Sequence, residues 1–226
     1  MSVADFFKQT KGRMPADSRR EQIIRTAFDL FSKKGFNGTT TKDIAASLGV
    51  SEATVFKYFA TKDELYQAIL DIKNCGDDFH QGHKWHDNPD LIQAVEEKND
   101  EKVFYTFALQ ALNKHHENQA FMRMILFSAL ENHSLAECYY RGFITEIYDF
   151  FASYIRKRQE DGVFKKIEPK TVVRAFLGML VHHSLNNILW DKSRYLLNIT
   201  NEQAAREFTE ILLNGICIKE KLFQQN

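Results

Sequence analysis

Residues 51 to 57 read Ser-Glu-Ala-Thr-Val-Phe-Lys. At 100° per residue on a helix, Val55 and Phe59 point one way while Glu52, Ala53, Phe56 and Lys57 point the other. The first pair suits a packed interior. The second group sets a methyl, an aromatic ring, a cation and a carboxylate side by side on a free face, which suits a DNA major groove with its thymine methyls and base-edge acceptors. Thr54 and Tyr58 flank that face at the azimuth of phosphate oxygens. Lys62 comes at the next helix start, where a cation and free backbone N–H groups can hold a phosphate together.

Such a face needs elements that hold it. Thr41 is expected to cap a short helix whose buried side is Ile44, Ala45 and Leu48, and Gly49 to end that helix at a positive φ. Val50 then plugs the turn. Ser51 is expected to cap the second helix, with Glu52 close to the positive end of its macrodipole. A turn of three or four residues makes the pair a helix-turn-helix. A preceding helix from about Asp17 to Lys34, buried through Ile24, Ala27, Phe28 and Phe31, braces the motif.

The stretch TTKDIAASLGVSEATVFKYFATKDEL, with the preceding RREQIIRTAFDLFSKKGFNGTT and its glycine-aromatic exit, resembles the N-terminal domain of the TetR family of bacterial transcriptional repressors. The resemblance covers roughly the first third of the chain; the remainder agrees only in length and helical character. It implies base-edge contacts for Lys42, Glu52, Ala53, Phe56 and Lys57, and phosphate contacts for Thr41, Thr54, Tyr58 and Lys62, with Ser51 at the helix start. Two departures matter. Phe56 stands where the family often has Tyr, and Ala53 where Gly or Pro is frequent, so no operator sequence can be transferred.

Composition agrees once it is split along the chain. Formal charge is zero overall, yet residues 1 to 62 carry 11 Lys and Arg against 6 Asp and Glu, a balance of +5, and the rest carries 19 against 24, a balance of −5. A basic head on an acidic body orients the molecule toward a polyanion. With 226 residues, 44% of them hydrophobic, the chain can bury one large core or two modest ones. Cys75, Cys138 and Cys217 are few, odd in number and far apart, which favours reduced thiols in a reducing cytoplasm. No secretory core and no run of 18 apolar residues occurs, so a soluble, cytoplasmic protein without membrane association is expected.

The three prolines, Pro15, Pro89 and Pro169, sit where helices can begin, the latter two after Asn88 and Glu168. With no competing strand signal the chain is expected to be all-α, with nine or ten helices. Residues 1 to 16 form an arm or loose helix through Phe6 and Phe7. A connector helix starts at Thr61 or Lys62 and extends to roughly His80. A polar stretch runs from Gly76 to Asn88, then helical blocks lie near 100 to 117, 118 to 131, 134 to 161 and 169 to 190, with a last helix near 202 to 221. Asn118 and Ser134 are expected N-caps and Gly162 a C-terminal glycine. The division is a DNA-binding domain over 1–62 and an effector-binding and dimerisation domain over 63–226.

Twelve of the 19 phenylalanines lie beyond residue 62. Many recur at helical spacing, as in Phe104 and Phe107, or Tyr140, Phe143, Ile147, Phe150, Phe151 and Tyr154, and most of these belong to core. The family resemblance implies an effector site in this body, for which Phe104, Phe107, Phe121, Phe127, Tyr140, Phe143, Phe176, His182 and His183 are the candidates. An aromatic lining would suit a small apolar or flat aromatic effector. Apolar faces through Val172, Val173, Phe176, Leu180 and Ile188, and through Ala204, Phe208, Ile211, Leu212 and Ile216, either close the body or meet a second copy; the resemblance implies a twofold four-helix homodimer interface, which would set two reading helices on a palindromic operator.

His80, His83 and His86 near Cys75, Asp77 and Asp78 resemble metal ligands, but the histidines spread around a helix and Gly82 interrupts it, so a solvated loop is the simpler reading. No metal and no cofactor is expected. Nor is an enzyme: no nucleophile with its base, Gly-rich phosphate loop or paired carboxylate has diagnostic spacing. Trp85 and Trp190 stand as lone aromatics. The function expected is a ligand-responsive, dimeric DNA-binding repressor of the TetR type; the alternatives are a metal-sensing or an inducer-independent regulator.

Overall fold

The computed structural model describes residues 18–72 and 85–218. The expected arm over 1–16, the end of the connector near His80, the ligand cluster Cys75, Asp77, Asp78, His80 and His83 and the His86 side chain lie outside the described residues, whereas the final helix, expected to reach about 221, ends at Ile216 because Cys217 is extended and bridges Phe164. Among those described the protein is all-helical. The helices are α1 Ser18–Lys34, α2 Thr41–Leu48, α3 Glu52–Phe56, α4 Lys62–Ile72, α5 Pro89–Glu96, α6 Asp100–Glu117, α7 Gln119–Leu130, α8 Ser134–Tyr139, α9 Thr145–Glu160, α10 Pro169–Leu185 and α11 Asn201–Ile216. Short π turns, Tyr140–Ile144 and Asn186–Trp190, continue α8 and α10. The expected block 134–161 is thus one succession of helical segments, and the only β contact among the described residues is an isolated bridge between Phe164 and Cys217.

Two compact units form, and neither is continuous in sequence: the described residues up to 72 join Asn118–Phe143, while Lys84–Glu117 joins the chain from Ile144 onward. In the first unit, α1 contributes Ile23, Ile24, Ala27, Phe28 and Phe31 to one core with Ile44 and Ala45 of α2, Val55, Phe59, Leu65, Tyr66 and Ile69, and Phe121, Met124 and Leu135 of α7 and α8. Each large apolar side chain so buried stabilises the unit by roughly 1.5–3 kcal/mol.

The second unit holds an aromatic core. Phe104 and Phe151 stack at 5.4 Å between centroids, Phe176 meets Phe104 edge-on at 5.2 Å, and Trp85 lies edge-on to Phe107 at 5.5 Å. Trp85 is therefore not a lone aromatic. It anchors a single 3-10 turn, Trp85–Asp87, under the start of α5. Beside this core the buried Arg158 guanidinium clasps Asp100 in a bidentate pair at 2.8 and 2.9 Å and reaches Asp161 at 2.8 Å. The Tyr154 hydroxyl donates to Asp100 at 2.6 Å, and burial pushes its pKa well above the ordinary value.

Several cap assignments shift. Thr40, in extended backbone, is the N-cap of α2: its hydroxyl accepts from the Asp43 N–H at 3.1 Å while the Asp43 carboxylate accepts from the Thr40 N–H at 2.9 Å. Thr41 already has helical backbone and cannot take that place. The hydrogen bonds from Thr40 hold the Asp43 carboxyl below its usual range. His133 rather than Ser134 precedes α8, and the cap is supplied from α7: the buried Ser128 hydroxyl accepts from the Ala136 N–H at 2.9 Å. Asn118 holds the expected N-cap position of α7 without a side-chain cap bond, Asn88 caps α5 as expected, and Glu168 also caps α10. Gly162 has φ 69°, the left-handed conformation a C-terminal glycine supplies.

Candidate nucleic-acid interface

Gly49 ends α2 at φ 67°, ψ 32°, and its N–H returns to the carbonyls of Ala45 and Ala46. Nothing lies within 4 Å of where a Cβ would stand, so the requirement for glycine here is conformational rather than steric. The chain leaves through Val50, which packs on the core, and enters α3 at Ser51. Ser51 is the N-cap residue by backbone, but its hydroxyl pairs with Thr54 Oγ1 at 2.9 Å and caps no N–H.

On α3 and the turn after it, Val55 and Phe59 are 1% and 2% exposed while Glu52, Ala53, Phe56 and Lys57 are exposed, Phe56 at 46%. One helix turn thus drives two anchors into the core and lifts four chemically different side chains off it. Thr54 and Tyr58 are half-buried on the flanks, Tyr58 resting against the core. Lys42 is exposed on α2. The Thr41 hydroxyl donates to the Glu52 carboxylate, joining the start of α2 to the start of α3.

Lys62 differs from the free cation expected. Its ammonium donates to the carbonyls of Phe36 at 2.8 Å and Thr39 at 3.0 Å and lies 4.0 Å from the centre of the Phe36 ring. Two of its three donors close the loop between α1 and α2, where the Phe36 and Thr39 carbonyls belong to no helix and a cation can bridge them. The same loop is held from α7 by Glu131, which accepts from the N–H groups of Phe36 and Asn37. Neither tie has a local sequence signal, since Glu131 lies some ninety residues downstream.

The nine effector candidates fall into both units. Phe104, Phe107 and Phe176 are buried and packed ring against ring in the second. Phe121 is buried in the first unit's core, Phe143 packs against it, and Phe127 lies beside Gly35. Tyr140 is 55% exposed. His182 is exposed and bonded to Asn186, while His183 is buried against the Phe208 ring and bonded to Asn187 at 3.1 Å. His115 on α6 is half-buried and pairs with the buried Ser184 hydroxyl at 2.9 Å, where desolvation pushes the imidazole pKa down to about 4. Among the described residues no three metal-ligating side chains gather, and no helix is long and apolar enough to cross a membrane.

Three helices, a turn begun by a left-handed glycine and an exposed face over two buried anchors define a helix-turn-helix. Residues 23–69 match the family model of bacterial regulatory proteins, tetR family. The head is a TetR-family domain, and the chain as a whole has the fold of TetR-family regulators. Curated relatives include the biofilm operon icaADBC negative transcriptional regulator IcaR of Staphylococcus epidermidis, 36% identical over 56 residues, covering 25% of this chain and 29% of that protein. YvkB of Bacillus subtilis, an HTH-type transcriptional regulator, is 46% identical over 50 residues, covering 22% and 26%. The chain thus spans less than a third of the length of these relatives. Among solved structures, the ketosteroid transcriptional regulator KstR2 of Mycobacterium tuberculosis superposes with TM-score 0.58 at 19% identity over 92% of this chain and 99% of that one. AibR, in complex with isovaleryl coenzyme A and operator DNA, gives 0.58 at 18% over 86% and 98%. At such identities the likeness is one of fold.

Proposed function

We propose that the protein is a dimeric, ligand-responsive transcriptional repressor that inserts α3 into the major groove of a palindromic operator. One observation carries the reading: Glu52, Ala53, Phe56 and Lys57 stand exposed on α3 and the turn after it, while Val55 and Phe59 of the same segment are locked in the core. Lys42 joins them in base readout, while Thr41, Thr54, Tyr58 and the remaining donor of Lys62 set the register on phosphates. Residues 1–62 serve as the DNA-reading head and 63–226 as the effector and dimer part.

The effector is a small apolar or aromatic compound. AibR, which shares the fold, holds isovaleryl coenzyme A, and the aromatic richness of the second unit favours an apolar group of that kind. Release requires that the effector bind the non-operator state more tightly, since equal affinity shifts nothing.

Of the two apolar stripes expected either to close the body or to meet a second copy, most residues close the body, while Ile211 stays 59% exposed. Val172, Val173, Phe176, Leu180, Ile188, Ala204, Leu212 and Ile216 are buried within the second unit, closing α10 and α11 onto their own neighbours. The surface left for a second copy is Ala175, Gly178 and His182 on α10 and Glu207, Ile211 and Gly215 on α11, all exposed. Selection from random duplex DNA, repeated with cell extract, tests the whole reading: an enriched palindrome lost on adding extract supports it, and no enrichment defeats it.

A further inference from the structure

We infer that the loop from Trp190 to Leu197 is a docking arm for the second copy, an extension of the α10 and α11 faces; the inference rests on the dimer reading above. Asp191 is 8% exposed and its carboxylate accepts from the N–H groups of Tyr195 at 2.7 Å and Leu196 at 2.8 Å, while Ser193 Oγ lies 3.4 Å away. Arg194 donates to the Ile199 carbonyl at 3.4 Å. The backbone is therefore held in one shape, and that shape turns the apolar side chains outward. Trp190 is 67% exposed, Tyr195 89%, Leu196 78% and Leu197 46%.

Four large apolar side chains exposed within eight residues of a braced loop are a concentration of the kind that marks an interface. A second copy is the occupant favoured by area. The helical face alone is built of small residues, and Ile211, 59% exposed, is its one large apolar side chain. With the loop added, the exposed apolar surface reaches on the order of 600 Å² per subunit, close to the ~800 Å² per partner of a standard interface. The loop is continuous with α10, since the Trp190 ring lies 6.4 Å from that of His182. Charge agrees as well: the exposed Lys192 belongs to the loop and the exposed Glu207 to the α11 face, so a self-complementary contact can pair one copy's loop with the other's helix.

The test is sedimentation equilibrium on the full chain, comparing wild type with Trp190→Ser/Tyr195→Ser/Leu196→Ser and with Gly178→Glu/Ile211→Glu. These positions are exposed, so unchanged far-ultraviolet circular dichroism is expected for both variants, with the melting temperature lowered only by the loss of association. The loop variant should weaken the dimer by about 100-fold or more. If the helix-face variant dissociates and the loop variant keeps the wild-type dimer constant, the arm is overturned while the dimer stands. If wild type sediments as a monomer at every concentration, the dimer reading falls and the arm with it. A photo-crosslinking residue at Tyr195 gives an independent readout, with covalent dimer expected and only monomer overturning the arm.

Discussion

Glu131, just past the end of α7, accepts a hydrogen bond at 2.9 Å from the backbone N–H of Phe36, at the exit of α1, across a separation of 95 residues. A second bond from Asn37 at 3.2 Å completes the clasp. The approach is possible because residue 35 is glycine. At φ 75° a side chain is strained, and a Cβ there would come within 2.4 Å of Glu131 Oε1 and 3.0 Å of Phe127.

Gly35→Ala should therefore destabilise the first unit by about 2–4 kcal/mol, combining backbone strain with a displaced clasp. Glu131→Ala should cost about 1–3 kcal/mol through two N–H groups left to water or nothing. Urea unfolding checks both, and wild-type midpoints would show that the clasp is incidental.

The two sides of α3 should separate stability from recognition. Phe59→Ala should lower stability by roughly 3–5 kcal/mol through cavity formation. Phe56→Ala and Lys57→Ala should stay within about 0.5 kcal/mol of wild type yet lose operator preference. Lys42→Ala should change the preferred base by roughly 1–3 kcal/mol if it reads a guanine. Equal losses of affinity on all duplexes would remove these side chains from base readout.

Lys62→Met should behave chiefly as a stability variant, because the ammonium bridges two carbonyls and an aromatic face. A loss of about 1–2 kcal/mol is expected. A pure phosphate ligand would instead flatten the salt dependence of DNA binding by about 0.9 per contact with no change in melting. Titration at several salt concentrations, paired with thermal melts, decides between these.

Arg158→Met should destabilise the second unit by about 3–5 kcal/mol, since Asp100 is left buried without its partner. Removing both charges together, as Arg158→Met/Asp100→Leu, should cost less. A double variant worse than the single one would contradict the unpaired Asp100 as the source of the loss.

His115 makes stability depend on pH. Its folded pKa of about 4 lies below the ordinary 6.5, so between these values the unfolded chain binds the extra proton. The stabilisation is fully present above pH 6.5 and is lost as pH falls toward 4, on the order of 2–3 kcal/mol in all. Denaturant midpoints for wild type should fall across that window more steeply than those of His115→Gln; parallel curves would contradict the neutral half-buried imidazole.

Local signals carried the head. Helical period set Val55 inward against Glu52, Ala53 and Phe56 outward, and the left-handed conformation of Gly49 and Gly162 follows from their places at helix C-termini; the burial of Phe59, beyond the end of α3, came from tertiary packing. The prolines marked the starts of α5 and α10 because a fixed φ with no N–H is tolerated there. Tertiary structure decided what depends on distant partners. Apolar period says that a face is buried but not against what, so the stripes of α10 and α11 read equally as a dimer seam or an inner wall, and packing made them a wall. Likewise a charged residue carries no mark of whether it meets solvent, DNA or a stray carbonyl: Lys62 and Glu131 acquired their places in the α1–α2 loop only when residues far apart in the chain met there.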